Sequence, residues 1–458
     1  MSVAISAPGK VLIAGGYLVL DKDYSGLVFG LSARIHCIST PDPSAPKPGT
    51  ITVRSPQFLN AVWVYEADKK TAVKQVLEEG SSENKFVETT LRYVLSYMGT
   101  LPDANPHPST IITILADNDY YSQPLSPVPR FNNLAVTLSE SHKTGLGSSA
   151  ALVTALTTCL LTSFSPPPAS APDMRTIEKQ QLIHNLAQAS HCAAQGKVGS
   201  GFDVAAAVFG SCVYRRFSPS ILEEIPDPSY GAFARRLKEV VEGPWDLQVS
   251  KTRVPKGIRV VMGDVDCGSS TPGMVKTLLK WRSENAEDAK LVWDGLEAMN
   301  KGLIDMLEEL RLCAEEDAAI HEEALEIVRK QGWKEGGSSK SLQILQKIGR
   351  QISKIRKIIR AMGETAGVPI EPEAQTKLLD AVEGQINGVL GGVVPGAGGY
   401  DAVAFLLVDH EETLGELNTV LAGWEGGAGG KVKMLETREE QEGVRREVLE
   451  GYEGWGFV

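Results

Sequence analysis

No run of about 18 apolar residues occurs in the 458-residue chain, so no membrane-spanning helix is expected. The first residues, Met1-Ser2-Val3-Ala4-Ile5, carry neither a basic stretch nor a long apolar stretch, so no secretory signal is expected. The six cysteines (Cys37, Cys159, Cys192, Cys212, Cys267 and Cys313) stand singly, with no C-x-x-C pair. That argues against a zinc knuckle or a disulfide frame and points to free thiols in a reducing cytoplasm. Positive charge is in deficit: 46 basic against 57 acidic residues leave a net charge of -11. A polyanion gains nothing from such a field, so no nucleic-acid partner is expected. A Walker A loop is missing, because no Gly-Lys-Ser/Thr follows four spacer residues after a glycine.

The 42% hydrophobic and 22% charged residues are ordinary for a globular protein, and the length suggests two domains with a helical insertion. Prolines and mixed polarity over residues 217–256 place a boundary between a first domain, 1–216, and a second, 257–458. Ala4 to Leu20 reads as strand, turn, strand, with Ala7-Pro8-Gly9-Lys10 as the turn. Helical spacing marks Lys85 to Tyr97, Ala150 to Leu161 and Thr176 to Gln195; Pro166-Pro167-Pro168 closes the second of these. Ile51 to Val64 reads as another hairpin, and Ser109 to Asp117 and Ile258 to Asp264 read as strands. Thr271 to about Met362 is mostly helical, interrupted at Gly336-Gly337-Ser338-Ser339, and Gly391 to Val408 reads as a glycine loop and strand. Strands and helices mixed in this order imply an α+β fold rather than a regular βαβ array.

The sharpest local feature is Lys143-Thr144-Gly145-Leu146-Gly147-Ser148-Ser149-Ala150-Ala151. Two glycines permit a tight turn, and two serines then open a helix whose first amides lack internal partners, which makes an anion site. The hydroxyls can reach a phosphate oxygen or a magnesium ion. The third glycine of a dinucleotide fingerprint is missing. The same residues would also make a plain serine-capped helix after a glycine turn.

Gly145-Leu146-Gly147-Ser148-Ser149-Ala150-Ala151 resembles the second motif of the GHMP kinases, named for galactokinase, homoserine, mevalonate and phosphomevalonate kinases. Ala7-Pro8-Gly9-Lys10 resembles their first motif and Gly396-Ala397-Gly398-Gly399-Tyr400-Asp401 their third. Within that superfamily, Gly15 to Asp21, His191 to Ala205, Gly268-Ser269-Ser270-Thr271-Pro272 and Ile370-Glu371-Pro372 resemble the phosphomevalonate kinase branch in its fungal form. The resemblance implies an N-terminal α+β domain with a left-handed βαβ crossover and a C-terminal ferredoxin-like sandwich, with ATP and acceptor meeting between them. It implies ATP and Mg2+, a phosphomevalonate acceptor, no nucleic-acid or membrane partner, and a monomer or homodimer.

By the same resemblance Lys10 meets the transferring phosphoryl group. Lys143, Gly145, Leu146, Gly147, Ser148, Ser149 and Ala150 hold ATP, Ser149 ligates the metal, and Lys197, Ser200 and Gly398 take the acceptor. Asp203 matches the aspartate proposed as general base where the acceptor is an alcohol. A phosphate monoester, with its second pKa at about 6, needs little deprotonation, so Asp203 is expected to orient Lys10 through an ion pair. Two anions roughly 4 Å apart repel by about 4 kcal/mol at an effective dielectric of about 20, so extra cations should line the cleft; Lys143 and Lys197 are the candidates. Mevalonate kinases carry a glutamate metal ligand where this chain reads Ser190-His191-Cys192, which leaves the second metal ligand open.

The plainer readings stand beside these. Each lysine could be a solvated surface group, and Asp203 a loop cap. His184 and His191 read as structural histidines, because no further zinc ligands accompany them. The basic stretch Lys347, Arg350, Lys354, Arg356, Lys357 and Arg360 reads as solvent-facing, with one side able to reach the acceptor phosphate. The competing functions are another small-molecule kinase of the superfamily such as mevalonate kinase, a diphosphomevalonate decarboxylase, and a non-catalytic nucleotide or metabolite sensor. Retention of Lys10 and Asp203 argues against the sensor.

Overall fold

The computed structural model describes residues 2–67, 73–76, 83–102, 108–122, 129–164, 176–265, 271–425 and 431–455. Two sheets organise it. The larger runs, edge to edge, through Arg445–Glu447, Val3–Ala14, Ser25–Pro41, Thr110–Ala116, Thr50–Arg54, Val62–Ala67 and Val73–Val76. Its one parallel pairing among the described strands joins Thr50–Arg54 to Thr110–Ala116 across an intervening hairpin and the helix Lys85–Met98. The smaller sheet is antiparallel: Val389–Val393, Ala402–Val408, Ile258–Val265 and Val432–Met434. Glu439–Glu440 and Arg445–Glu447 return to pair with the first sheet.

Composition explains which helix goes where. Ser148–Phe164 is small and apolar on nearly every side, and ten of its residues are buried against the sheet and neighbouring helices. Lys85–Met98 is amphipathic and starts where the Asn84 side chain accepts from the Val87 amide at 3.2 Å. Lys340–Ala366 begins at a Ser339 cap and buries Ile344, Leu345, Ile348, Ile352 and Ile355, the spacing of one helical face. It ends at Gly367 in the left-handed conformation. No helix among the described residues is long and apolar enough to cross a membrane.

Two expectations change. Val3–Ala14 is a single strand: Pro8-Gly9 is absorbed as a register shift against Ser25–Pro41, not as a turn. Arg356 leaves the solvent-facing basic stripe: it is 4% exposed, pairs with Glu371 at 2.7 Å, Asp380 at 2.8 Å and Glu383 at 3.0 Å, and has Arg360 beside it on Glu371. Pro166 to Pro168 and Gly268 to Ser270 lie outside the described residues.

Candidate active site

The irregularity at Pro8-Gly9 brings Lys10 up to the glycine loop. The Lys10 amide donates to the Leu146 carbonyl at 3.0 Å, and its Nζ donates to the Gly145 carbonyl at 2.9 Å. The strand is thus stitched to the loop at both ends of one residue. Gly147 has φ 82°, and a Cβ there would lie 3.0 Å from the Lys10 chain, so glycine serves both the turn and the close approach. Lys10 Nζ also lies 5.5 Å from the centre of the Phe202 ring. Burial pulls its pKa below the ordinary lysine value, against the opposing field of Asp203.

Beyond Gly147 the serines open the helix, so its free amides point at a cavity of about 990 Å³. Lys10, Lys143, Gly145, Leu146, Gly147, Ser148, Ser149, Lys197, Ser200, Asp203 and Gly398 all line this one cavity. Ala150 does not; its side chain is buried behind the loop. Gly398 has φ 78°, and a Cβ there would meet the Ile370 carbonyl at 2.2 Å, while the Gly399 amide donates to that same carbonyl at 2.9 Å. The third glycine loop is therefore seated on Ile370, next to the buried Glu371–Arg356 pair.

Asp203 sits in the first turn of Phe202–Phe209, entered through Gly201 at φ 83°. Its Oδ1 accepts from the Val204 amide at 3.0 Å, and its Oδ2 lies 4.0 Å from His191 Nε2. The expected ion pair with Lys10 is not formed, because the ammonium is turned to the Gly145 carbonyl; Asp203 acts on it only through its field. His191 is not a remote structural histidine. Its Nε2 is 3.1 Å from Ser149 Oγ, and its ring stacks on Phe86 at 5.7 Å. His184 is structural: fully buried, stacked on Phe209, its pKa pushed down to about 4 by burial.

Three further side chains escaped sequence reasoning. Arg216 is 8% exposed, lines the cavity, and donates to the carbonyls of Leu20 at 2.6 Å, Val198 at 3.1 Å and Gly199 at 2.6 Å. No carboxylate of the described residues lies within ion-pair distance of it. Tyr17 has φ 64°, a left-handed conformation rare for a bulky residue, and its hydroxyl donates to the Ala397 carbonyl at 2.7 Å. It ties the first turn to the third glycine loop. Lys276 adds a cation at the rim. Only Tyr17 left a local signal, in the glycine pair before it.

A family model described as the GHMP kinases N terminal domain matches residues 111–211. The phosphomevalonate kinase ERG8 of Gibberella zeae is 46% identical, with 99% of this chain and 98% of that protein covered. Its Aspergillus fumigatus counterpart is 42% identical, with coverage of 99% and 98%. Among solved structures, a Streptococcus pneumoniae phosphomevalonate kinase in complex with phosphomevalonate and AMPPNP superimposes with a TM-score of 0.61 at 14% identity, over 96% of this chain and 100% of that one. That likeness shows the fold, the two-domain α+β arrangement of the GHMP kinases. Identity sustained over almost the whole length of the fungal enzymes goes further: this chain belongs to the phosphomevalonate kinase family, within the GHMP kinases.

Proposed function

We propose that the protein transfers the γ-phosphoryl group of ATP to (R)-5-phosphomevalonate, giving 5-diphosphomevalonate and ADP, a step on the mevalonate route to isoprenoids and sterols. The observation that carries this reading is the seating of Lys10 on the glycine loop, in one cavity with Asp203 and with Arg216, which no carboxylate of the described residues pairs. Phosphoryl transfer asks for positioning and charge neutralisation rather than covalent help. The Ser148–Phe164 terminus and Lys143 hold the nucleotide phosphates; Lys10 faces the group in flight. Arg216, Lys197 and Ser200 take the anionic acceptor, and Gly398 borders it. A buried guanidinium held only by carbonyls among the described residues still carries an unneutralised charge, which a ligand anion would complement.

Magnesium fits this donor set as an ion carried in on ATP. Among the described residues no three His, Cys, Asp or Glu side chains gather as a cage, and Ser149 with Asp203 would complete a shell made largely of phosphate oxygens and water. Bound there, the ion supplies neutralisation of phosphate charge. Asp203 keeps Lys10 protonated through its field. Asp203→Asn should therefore shift the alkaline fall of kcat to lower pH, because Lys10 loses the carboxylate that supports its charge. A kcat–pH profile tests this. An unmoved alkaline limb with kcat as low as in Lys10→Met would instead make Asp203 the general base.

The acceptor is tested by ADP release with magnesium-ATP and phosphomevalonate, mevalonate or homoserine. Turnover confined to phosphomevalonate is expected; turnover only with an uncharged alcohol would overturn the assignment. The five described cysteines are free and buried, which suits the reducing cytoplasm we assign, and the chain is taken to act as a monomer or homodimer. The division into 1–216, 217–256 and 257–458 belongs to this proposal, with Glu439–Glu440 and Arg445–Glu447 added to the first unit's sheet.

A further inference from the structure

His191 occupies a place that the proposed chemistry leaves unassigned. It is 2% exposed, yet its Nε2 reaches the one hydroxyl at the helix entrance expected to meet the metal–nucleotide complex, at 3.1 Å from Ser149 Oγ. A second neighbour fixes what that nitrogen does. The Gln195 side-chain amide nitrogen lies 3.3 Å from the same Nε2, and an amide nitrogen can only donate. Nε2 is therefore an acceptor, and the Ser149 O–H donates to it. The carboxylate of Asp203, 4.0 Å away, stands too far to take a proton from Nε2 by hydrogen bonding. Stacking on Phe86 at an interplanar angle of 29° holds the ring plane.

A serine hydroxyl that serves a cation must present a lone pair and keep its proton out of the way. We propose that His191 is the positioning residue that does this: by accepting the Ser149 proton at Nε2 it turns the hydroxyl so that its lone pairs face the cavity and the magnesium–ATP complex. An imidazole acceptor behind a ligating hydroxyl would explain how the site works with no glutamate at this point of the helix. The inference rests on the proposed kinase function, since it needs a nucleotide in this cavity.

Two measurements test it. Calorimetric binding of ATP with and without magnesium gives the factor by which the metal tightens binding. Removing a partner behind a ligand typically changes metal affinity by about 10–100-fold, so His191→Asn should lose about tenfold or more of that factor while binding metal-free ATP as the unaltered protein does. His191→Gln, whose amide oxygen reaches the place of Nε2, should restore most of it; asparagine reaches only the place of Nδ1. Ser149→Ala should lose a similar factor, and adding His191→Asn to it should change little more. Equal damage in the glutamine and asparagine variants, or equal loss with and without metal, overturns the proposal. Independently of any variant, 15N-histidine NMR of the unaltered protein should show His191 as the Nδ1–H tautomer. A protonated Nε2 overturns it. If ATP does not bind at all, the kinase reading fails and takes this inference with it; ATP binding that His191 leaves untouched sinks the inference alone.

Discussion

Lys10→Met is expected to lower kcat by about 10³-fold, the upper range for loss of one preorganised donor to a developing charge. Three features make Lys10 hard to replace. Its ammonium is already fixed on the Gly145 carbonyl, its stem lies against Gly147, and the Phe202 ring flanks it. Methionine keeps the packing of the stem and removes only the charge. Lys10→Arg should rescue little, because a guanidinium does not fit beside a glycine chosen for close approach. Initial rates at saturating substrates read the loss, and calorimetric ATP binding should change far less, since the phosphates are also held by the helix entrance. A kcat loss below about tenfold would remove Lys10 from the transition state. Because burial depresses its pKa, the unaltered enzyme should lose activity on the alkaline side at a lower pH than an ordinary lysine would dictate.

Arg356→Met should be the most damaging change away from the cavity. Breaking a buried ion pair from one side costs about 3–5 kcal/mol, because the abandoned charge stays buried. Here Glu371, with a side chain 1% exposed, would keep, among the described residues, Arg360 and the Thr376 hydroxyl, which donates at 3.0 Å. A urea midpoint well below that of the unaltered protein is expected, with Glu373→Gln, in the exposed pair with Lys377, as a control that changes nothing measurable. The effect should reach catalysis as well, because Ile370 precedes Glu371 and carries the third glycine loop on its carbonyl. A midpoint unmoved by Arg356→Met would show the network to be dispensable.

The contrast between these two residues shows what was legible in advance. Lys10, the glycine–serine loop and Gly398 sit in contiguous motifs whose chemistry is local: a turn, a helix entrance, a close backbone approach. The structure brings them together in one cavity. His191, Arg216 and Arg356 owe their roles to partners elsewhere in the chain, and no short-range spacing encodes that. His191 meets Ser149, 42 positions away on another helix. Arg356 was read with its basic neighbours, whereas the helical turn places it on the inner face, opposite Glu371. Pro8-Gly9 misled for a different reason. Punctuation that ends a strand in isolation is tolerated as a register shift when long partners run alongside.

The return of Glu439–Glu440 and Arg445–Glu447 to the first sheet bears on how the protein is made. Arg34, 1% exposed, is held by Ser6 and by Glu440, Glu447 and the Glu442 and Gly443 carbonyls. Glu442 follows Arg34 by 408 residues. At about 5–20 residues per second, a ribosome reaches those partners roughly 20–80 s after Arg34. Through that interval the nascent sheet keeps an open edge and a guanidinium held by Ser6 without its carboxylates, so its consolidation waits on these late strands, and the growing chain is a natural client for chaperones that shield unpaired strands.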